Sequence, residues 1–243
     1  MEASARNLLD TPSIGGFVVN SRDVTAAKER ERVLRIVTRM LRHNLRNEIN
    51  VIRGQAEMIR SEASGTVADD AAQIVNVSDG LVEMAEKQRV VTELLQNGPA
   101  EREIDVGGVL QQVVSTVGSD YPEATITVDC PDELFIELAG EFELAISELV
   151  TNAIVHDDSA SPDVAITVTR TDGTTRIDVA DNGPPIPDME RNILIDEVEM
   201  TPVHHGSGFG LWLVKLITFR LGGTIVVEEN SPTGNVVGIE FSR

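Results

Sequence analysis

Arg42-His43-Asn44-Leu45-Arg46-Asn47-Glu48-Ile49-Asn50 is the stretch whose reading decides the fold. Around it, Leu34, Val37, Leu41, Leu45, Ile49, Ile52, Ala56 and Ile59 recur at steps of three and four. That spacing is the apolar stripe of one long amphipathic helix. At about 100° per residue, His43 falls off the stripe, with Arg46, Asn47, Asn50 and Gly54 following on the same polar side. The sequence therefore predicts an imidazole fixed on a rigid element and open to a partner, as a nucleophile requires. On this helix alone, a solvated surface histidine explains the pattern better.

Outward from that stretch the spacing predicts a helix over 25–61, broken at Ser64-Gly65-Thr66, and a second over 67–96, stopped by Asn97-Gly98-Pro99. Asp23 or Thr25 serves as the N-cap of the first. In the second, Ile74, Val77, Leu81, Met84, Gln88, Val91 and Leu95 form a heptad seam. Two helices joined by a short turn make an antiparallel hairpin. One hairpin cannot cover both apolar faces, so a homodimer closing a four-helix bundle is expected. Ahead of it, Gly15–Val19 reads as a strand without a partner in an N-terminal arm, residues 1–22.

After Pro99 the period changes. Short β-branched runs at 125–128, 164–170, 175–179, 223–228 and 236–241 alternate with helical patterns at 107–118, 141–156 and 210–221. The fold class is therefore α+β: a helical hairpin over 23–98, then an α/β layer over 99–243 with helices on one face of a mixed sheet.

The 243 residues carry 40 acidic and 20 basic side chains, a net charge of -20, with three lysines only: Lys28, Lys87 and Lys215. A dispersed acidic surface argues against nucleic acid and anionic membrane as partners. It suits high salt, where repulsion is screened over roughly 3 Å at 1 M. No apolar run approaches the ~20 residues of a membrane span and no signal-peptide pattern opens the chain, so a cytoplasmic protein is expected. Cys130, the only cysteine, excludes an internal disulfide and reads as a small apolar residue in a strand.

Three clusters in the second half carry chemistry. In the helix at 141–156, Phe142, Ala145, Ile146, Leu149 and Ala153 form the buried stripe, while Glu148, Asn152 and His156 stack at four-residue steps on the other face. Oxygen ligands in such a row suit a Mg²⁺ that also touches phosphate. Asp181-Asn182-Gly183-Pro184-Pro185 ends a strand in a forced turn, where a carboxylate can accept a hydrogen bond from an amine. Gly206-Ser207-Gly208-Phe209-Gly210-Leu211 opens a helix, a place that favours phosphate. The Rossmann and P-loop spacings are absent. Between the last two clusters, 189–205 shows little strand or helix pattern and reads as a lid.

Taken together and in this order, these motifs resemble a sensor histidine kinase of the haloarchaeal type: a dimerisation and phosphoacceptor hairpin followed by a GHKL (Bergerat-fold) ATPase domain. The resemblance covers about 23–243. It implies ATP and Mg²⁺ as cofactors, His43 as phosphoacceptor in an H box with Asn44 and Asn47 beside it, and a response regulator receiver domain as partner. Asn152 matches the metal-binding asparagine of the N box, with Glu148 a turn before and His156 a turn after. Asp181 and Gly183 match the adenine-reading G1 box. Gly206, Gly208, Gly210 and Leu211 match the G2 box beside the phosphates. The N-terminal arm resembles the end of a PAS domain. Asn44 stands where the family has an acid, Glu48 where it has proline, Val155 where the N box has lysine, and Pro185 where G1 has its second glycine. The F-box phenylalanine has no counterpart in 192–199. Two other readings remain: a nucleotide-binding pseudokinase scaffold, and another GHKL ATPase such as an anti-sigma serine kinase or a chaperone-like ATPase.

Overall fold

The computed structural model describes residues 2–8, 16–22, 25–96, 100–195 and 209–242. These fall into two compact units, Met1–Ala85 and Glu86–Arg243.

In the first unit, β1 (Glu2–Leu8) pairs antiparallel with β2 (Gly16–Arg22), Ala5 opposite Val19. The strand expected to stand alone thus has a partner, from a run too polar to announce itself as a strand. Helix α1 (Thr25–Glu62) turns at Gly65, whose φ of 67° favours glycine, into α2 (Thr66–Gln96). The proposed cap Asp23 lies outside the described residues. Among the stripe residues of α1 whose burial is described, Ile49 and Ala56 are covered, whereas Val37, Leu41, Leu45, Ile52 and Ile59 remain between 46% and 65% exposed. On α2 the buried set is Ala71, Val75, Ser78 and Ala85, with half-buried Val82 continuing the steps of four and three. Of the predicted seam, Ile74, Val77, Leu81, Gln88 and Leu95 are exposed, Met84 is half-buried and Val91 is buried. The buried positions are mostly small: Ala56 on α1, and Ala71, Ser78 and Ala85 on α2. Arg53 Nη1 meets Asp79 Oδ1 at 3.1 Å across the hairpin, a pair open to water and worth at most about 1 kcal/mol.

The last turns of α2 belong to the second unit, where Val91 and Leu94 join the core. There follow β3 (Glu101–Asp105), α3 (Val106–Asp120), β4 (Thr125–Asp129), β5 (Phe135–Ala139) and α4 (Glu141–Val155). Next come β6 (Asp163–Thr171), β7 (Thr174–Asp181), α5 (Asp188–Ile195), α6 (Phe209–Arg220), β8 (Thr224–Glu229) and β9 (Asn235–Ser242). The main sheet has the order β4-β6-β7-β9-β8, with β4 and β6 parallel and the remaining pairs antiparallel. A small antiparallel pair, β3-β5, stands apart from it. Alternate residues of the sheet are buried: Val164, Ile166 and Val168, then Ile177 and Val179, then Val237, Ile239 and Phe241. Such alternation means one covered face. Helices α3, α4 and α6 cover it, with Phe142 edge-on to Phe241 at 6.1 Å. The open face holds Arg176, bridging Asp178 and Glu228 at 2.8 Å each.

Two local expectations need correction. Residues 188–195 of the supposed patternless lid form α5, whose Ile193 and Leu194 are buried. The rest, 196–208, lies outside the described residues. Cys130 follows β4 rather than sitting in it. It is half-buried, and burial together with Asp105, Asp129 and Asp132 pushes its thiol pKa up.

Candidate functional site

The C-terminal half of α4, the end of β7 and the start of α6 enclose a cavity of about 240 Å³. Its walls include Leu149, Ala153, Val179, Ile186, Leu211 and Val237, with Asn152, His156, Asp181, Gly183, Glu190 and Asn235 among the polar groups. An apolar slot with few polar groups suits a flat heterocycle.

Asp181 is 9% exposed. Its Oδ1 accepts from the Gly183 N–H at 3.0 Å, the Asn235 N–H at 3.1 Å and the Asn235 amide at 3.0 Å. Oδ2 receives only the Asn235 amide, at 3.3 Å. Acceptor capacity therefore remains on Oδ2. Burial raises the carboxyl pKa above the ordinary range; the Asn235 and Gly183 hydrogen bonds pull it back, and Asp157 adds to the rise. Asn235 also donates to Pro184 O at 2.9 Å and accepts from the Ile186 N–H at 2.9 Å. One amide thus holds both the carboxylate and the turn. Sequence reading missed Asn235, which lies at the start of β9, 54 residues from the group it serves. Its one local signal is Gly234: φ is 115°, and a side chain there would run into the Asp181 carbonyl.

Asn152 lines the same cavity, and its Nδ2 is buried without a hydrogen-bond partner. Unsatisfied buried polar atoms are rare in native folds. This one lies beside the N-terminal turn of α6, where Gly210 is fully covered. A methyl on Gly210 would come within 2.8 Å of Glu148 Oε2, 3.2 Å of Asn152 Nδ2 and 3.3 Å of Lys87 Nζ. Glu148 itself makes a 2.8 Å ion pair with Lys87. Lys87, like Asn235, is absent from the sequence-based set. An amide, a carboxylate, an ammonium and a helix N-terminus thus converge on one spot, a donor set that fits phosphate and a hard divalent cation. ATP with Mg²⁺ passes this test of fit. Gly206 and Gly208 lie outside the described residues, while Gly210 and Leu211 begin α6 as the sequence suggested.

In the first unit, His43 and Asn44 are exposed on α1. Asn47 Nδ2 lies 3.3 Å from His43 Nδ1. A half-turn of that amide would bring its oxygen to the same nitrogen, which would then carry the proton and leave the Nε2 lone pair facing water.

Residues 139–243 match the family model described as histidine kinase-, DNA gyrase B- and HSP90-like ATPase. The sensor-type histidine kinase PrrB of Mycobacterium leprae is 26% identical over 204 residues, 79% of this chain and 44% of that protein. The histidine-protein kinase/phosphatase MprB of Mycobacterium sp. strain KMS is 25% identical over 231 residues, 88% of this chain and 44% of its own length. The chain thus spans less than half of these relatives. Among solved structures, the Acinetobacter baumannii histidine kinase AdeS superposes with a TM-score of 0.55 at 20% identity, over 82% of this chain and 97% of that one. At that identity the likeness is one of fold: N-terminal helices followed by an α/β ATPase layer of the GHKL type. Among the described residues, no helix is long and apolar enough to cross a membrane.

Proposed function

We propose that this chain is the catalytic core of a two-component sensor histidine kinase, which transfers the γ-phosphoryl group of ATP to His43 and then to an aspartate of a response regulator. The observation that carries this reading is the joint lining of one cavity by Asn152, Asp181, Gly183 and Leu211, in a chain that also exposes His43 on a long helix. The similarity to PrrB and MprB supports it.

Each residue takes a role that its chemistry allows. Asp181 Oδ2 accepts a hydrogen bond from the adenine amine. His156 and the apolar walls border the base. Asn152 would offer its amide oxygen to Mg²⁺, and the N-terminal turn of α6 with Gly210 would face the phosphates; the sequence motif assigns Gly206 and Gly208 to the same task. Bound Mg²⁺ supplies charge neutralisation during transfer. Glu148 holds its carboxylate beside Asn152, in reach of the same group. In the hairpin, His43 Nε2 attacks phosphorus with its lone pair as ADP leaves, while Asn47, and Asn44 beside it, orient the imidazole. Amides cannot take its proton, so catalysis rests on positioning and charge neutralisation.

The apolar residues left open on α1 and α2 support a homodimer closing a four-helix bundle. Each such side chain gains about 1.5–3 kcal/mol when fully covered. The hairpin over 23–98 is then the phosphotransfer domain and 99–243 the ATPase domain, with a receiver domain docking beside His43. The acid excess supports a halophilic, haloarchaeal origin and a cytoplasmic setting. Incubation with γ-labelled ATP and Mg²⁺ in molar salt tests the proposal. We expect label on the wild type, stable to base and lost in acid, and none on His43→Gln, whose ATP affinity is unchanged. Equal labelling of the variant would overturn the assignment of His43.

A further inference from the structure

The charged side chains among the described residues of this cavity are acidic. Asp181 and Glu190 line the cavity, and Glu148 lies beside it at Gly210. No lysine or arginine is among the cavity's described lining residues, and none occurs in 196–208. Nearby cations are turned to structural tasks. Arg191 donates to the Val227 carbonyl at 3.3 Å, and Lys215 to the Ile193 carbonyl at 2.8 Å. At the end of α4, Val155 offers no charge. Yet a nucleotide triphosphate brings three to four negative charges, and one divalent cation leaves an excess.

Lys87 meets that need from an unexpected element. It lies in the turns of α2 that belong to the second unit. Its ammonium makes a 2.8 Å ion pair with Glu148, their side chains 17% and 11% exposed. It would also come within 3.3 Å of a methyl on Gly210, beside the unpartnered Asn152 amide. A purely structural ion pair has no use for a second donor that makes no bond, nor for a helix N-terminus beside it. The ammonium, the Asn152 Nδ2 and the N-terminal turn of α6 lie together with the Glu148 carboxylate, next to a residue that lines the cavity.

We propose that Lys87 is a phosphate-contacting residue of the nucleotide site, held there by Glu148. The proposal rests on the ATP-binding reading of the cavity. Glu148 keeps the ammonium charged and aimed at the N-terminal turn of α6. Lys87 then offers a donor to a terminal phosphate oxygen, and the neutral wall built of Leu149 and Leu211 still takes the base.

Calorimetric titration of the full chain with adenosine, ADP and ATP, in Mg²⁺ buffer, tests this. The chains compared are wild type, Lys87→Met, Lys87→Gln and Lys87→Arg, with thermal melts alongside. The expected result is a roughly tenfold weaker ATP affinity in both neutral variants, a smaller loss for ADP, no change for adenosine, and recovery in Lys87→Arg. Recovery in the arginine variant is a readout that a structural pair would not give for ATP alone. ATP affinity within twofold of wild type in either folded neutral variant overturns the proposal. Equal losses for adenosine and ATP, or unfolding of both neutral variants, overturn it too and leave Lys87 a structural cation. A wild type that binds neither adenosine nor ATP sinks the reading of the cavity itself, an outcome visible before any variant is measured.

Discussion

In the α/β unit the chain covers Leu110, Phe142, Ile146, Ile177 and Leu213 completely with its own strands and helices. On the hairpin, Met40, Leu41 and Val51 remain 60–65% exposed, and the residues that are covered include the small Ala56, Ala71 and Ala85. The same apolar composition therefore serves two ends. In one region it closes a core and holds a cavity in shape. In the other it buries mostly small residues along one side of each helix and leaves many of the larger ones exposed. A site that must keep a carboxylate, an asparagine and a helix N-terminus in register needs the first solution. The acceptor we propose on the hairpin, which would meet two successive partners, needs the second.

The contrast can be broken most severely at the hairpin. Leu45→Asp combined with Leu81→Asp places two charges on faces that we expect a second copy to cover. Analytical ultracentrifugation should show the dimer of the wild type lost entirely at micromolar concentration, with adenosine affinity unchanged. A double variant that sediments as the wild type does would put the interface elsewhere. In the α/β unit, Phe142→Ala removes the ring packed against Phe241. It should cost about 3–5 kcal/mol of that unit's stability, read by denaturant unfolding followed through Trp212, with little effect on dimer dissociation.

A smaller effect sharpens the comparison at the site. Asn235→Ala removes the amide that holds Asp181 and should weaken ATP about tenfold, since an orphaned buried acceptor costs about 1–3 kcal/mol. The sign of the pH effect follows from the carboxyl. Burial raises the pKa of Asp181 and the Asn235 hydrogen bonds lower it. The ionised form accepts more strongly from adenine, so affinity falls as pH falls through that raised pKa, above the ordinary carboxylate range. Without Asn235 the pKa rises further, and the fall should begin at higher pH in the variant. The same shift means that stability conferred by the neutral carboxyl fades as pH rises through this window. Identical pH profiles for the two proteins would count against Asp181 as the titrating group.

Much of this was legible in the sequence, for reasons that differ by region. Long periodic stretches gave α1, α2, α3, α4 and α6 to within a residue or two, because 3.6-residue repetition accumulates over several turns. Five alternating runs gave the main sheet. The short strands β3 and β5 escaped, since Glu101-Arg102-Glu103-Ile104-Asp105 offers one buried residue in five. Helix α5 escaped because Asp188, Glu190, Arg191 and Asn192 hide a stripe only two residues long. On α2 two sets share the spacing of three and four: Ala71, Val75, Ser78 and Ala85 are buried within the chain, while Ile74, Val77, Leu81 and Leu95 of the predicted seam are exposed. Spacing alone cannot tell which set is covered within the chain. At the site, Asn152, Asp181, Gly183 and Leu211 could be read from local motifs. Asn235 and Lys87 could not, because each acts on a group far away along the chain and neither sits in a pattern.

The central claim is that the imidazole of His43 accepts phosphate from a nucleotide bound by the chain's own α/β layer. The most direct measurement is to incubate the chain with ATP and Mg²⁺, digest it at alkaline pH, and map the phosphate by mass spectrometry. The account predicts an acid-labile phosphate on the peptide that carries His43. An acid-stable phosphate on a serine or threonine, or no phosphate on a chain that binds ATP, would contradict it.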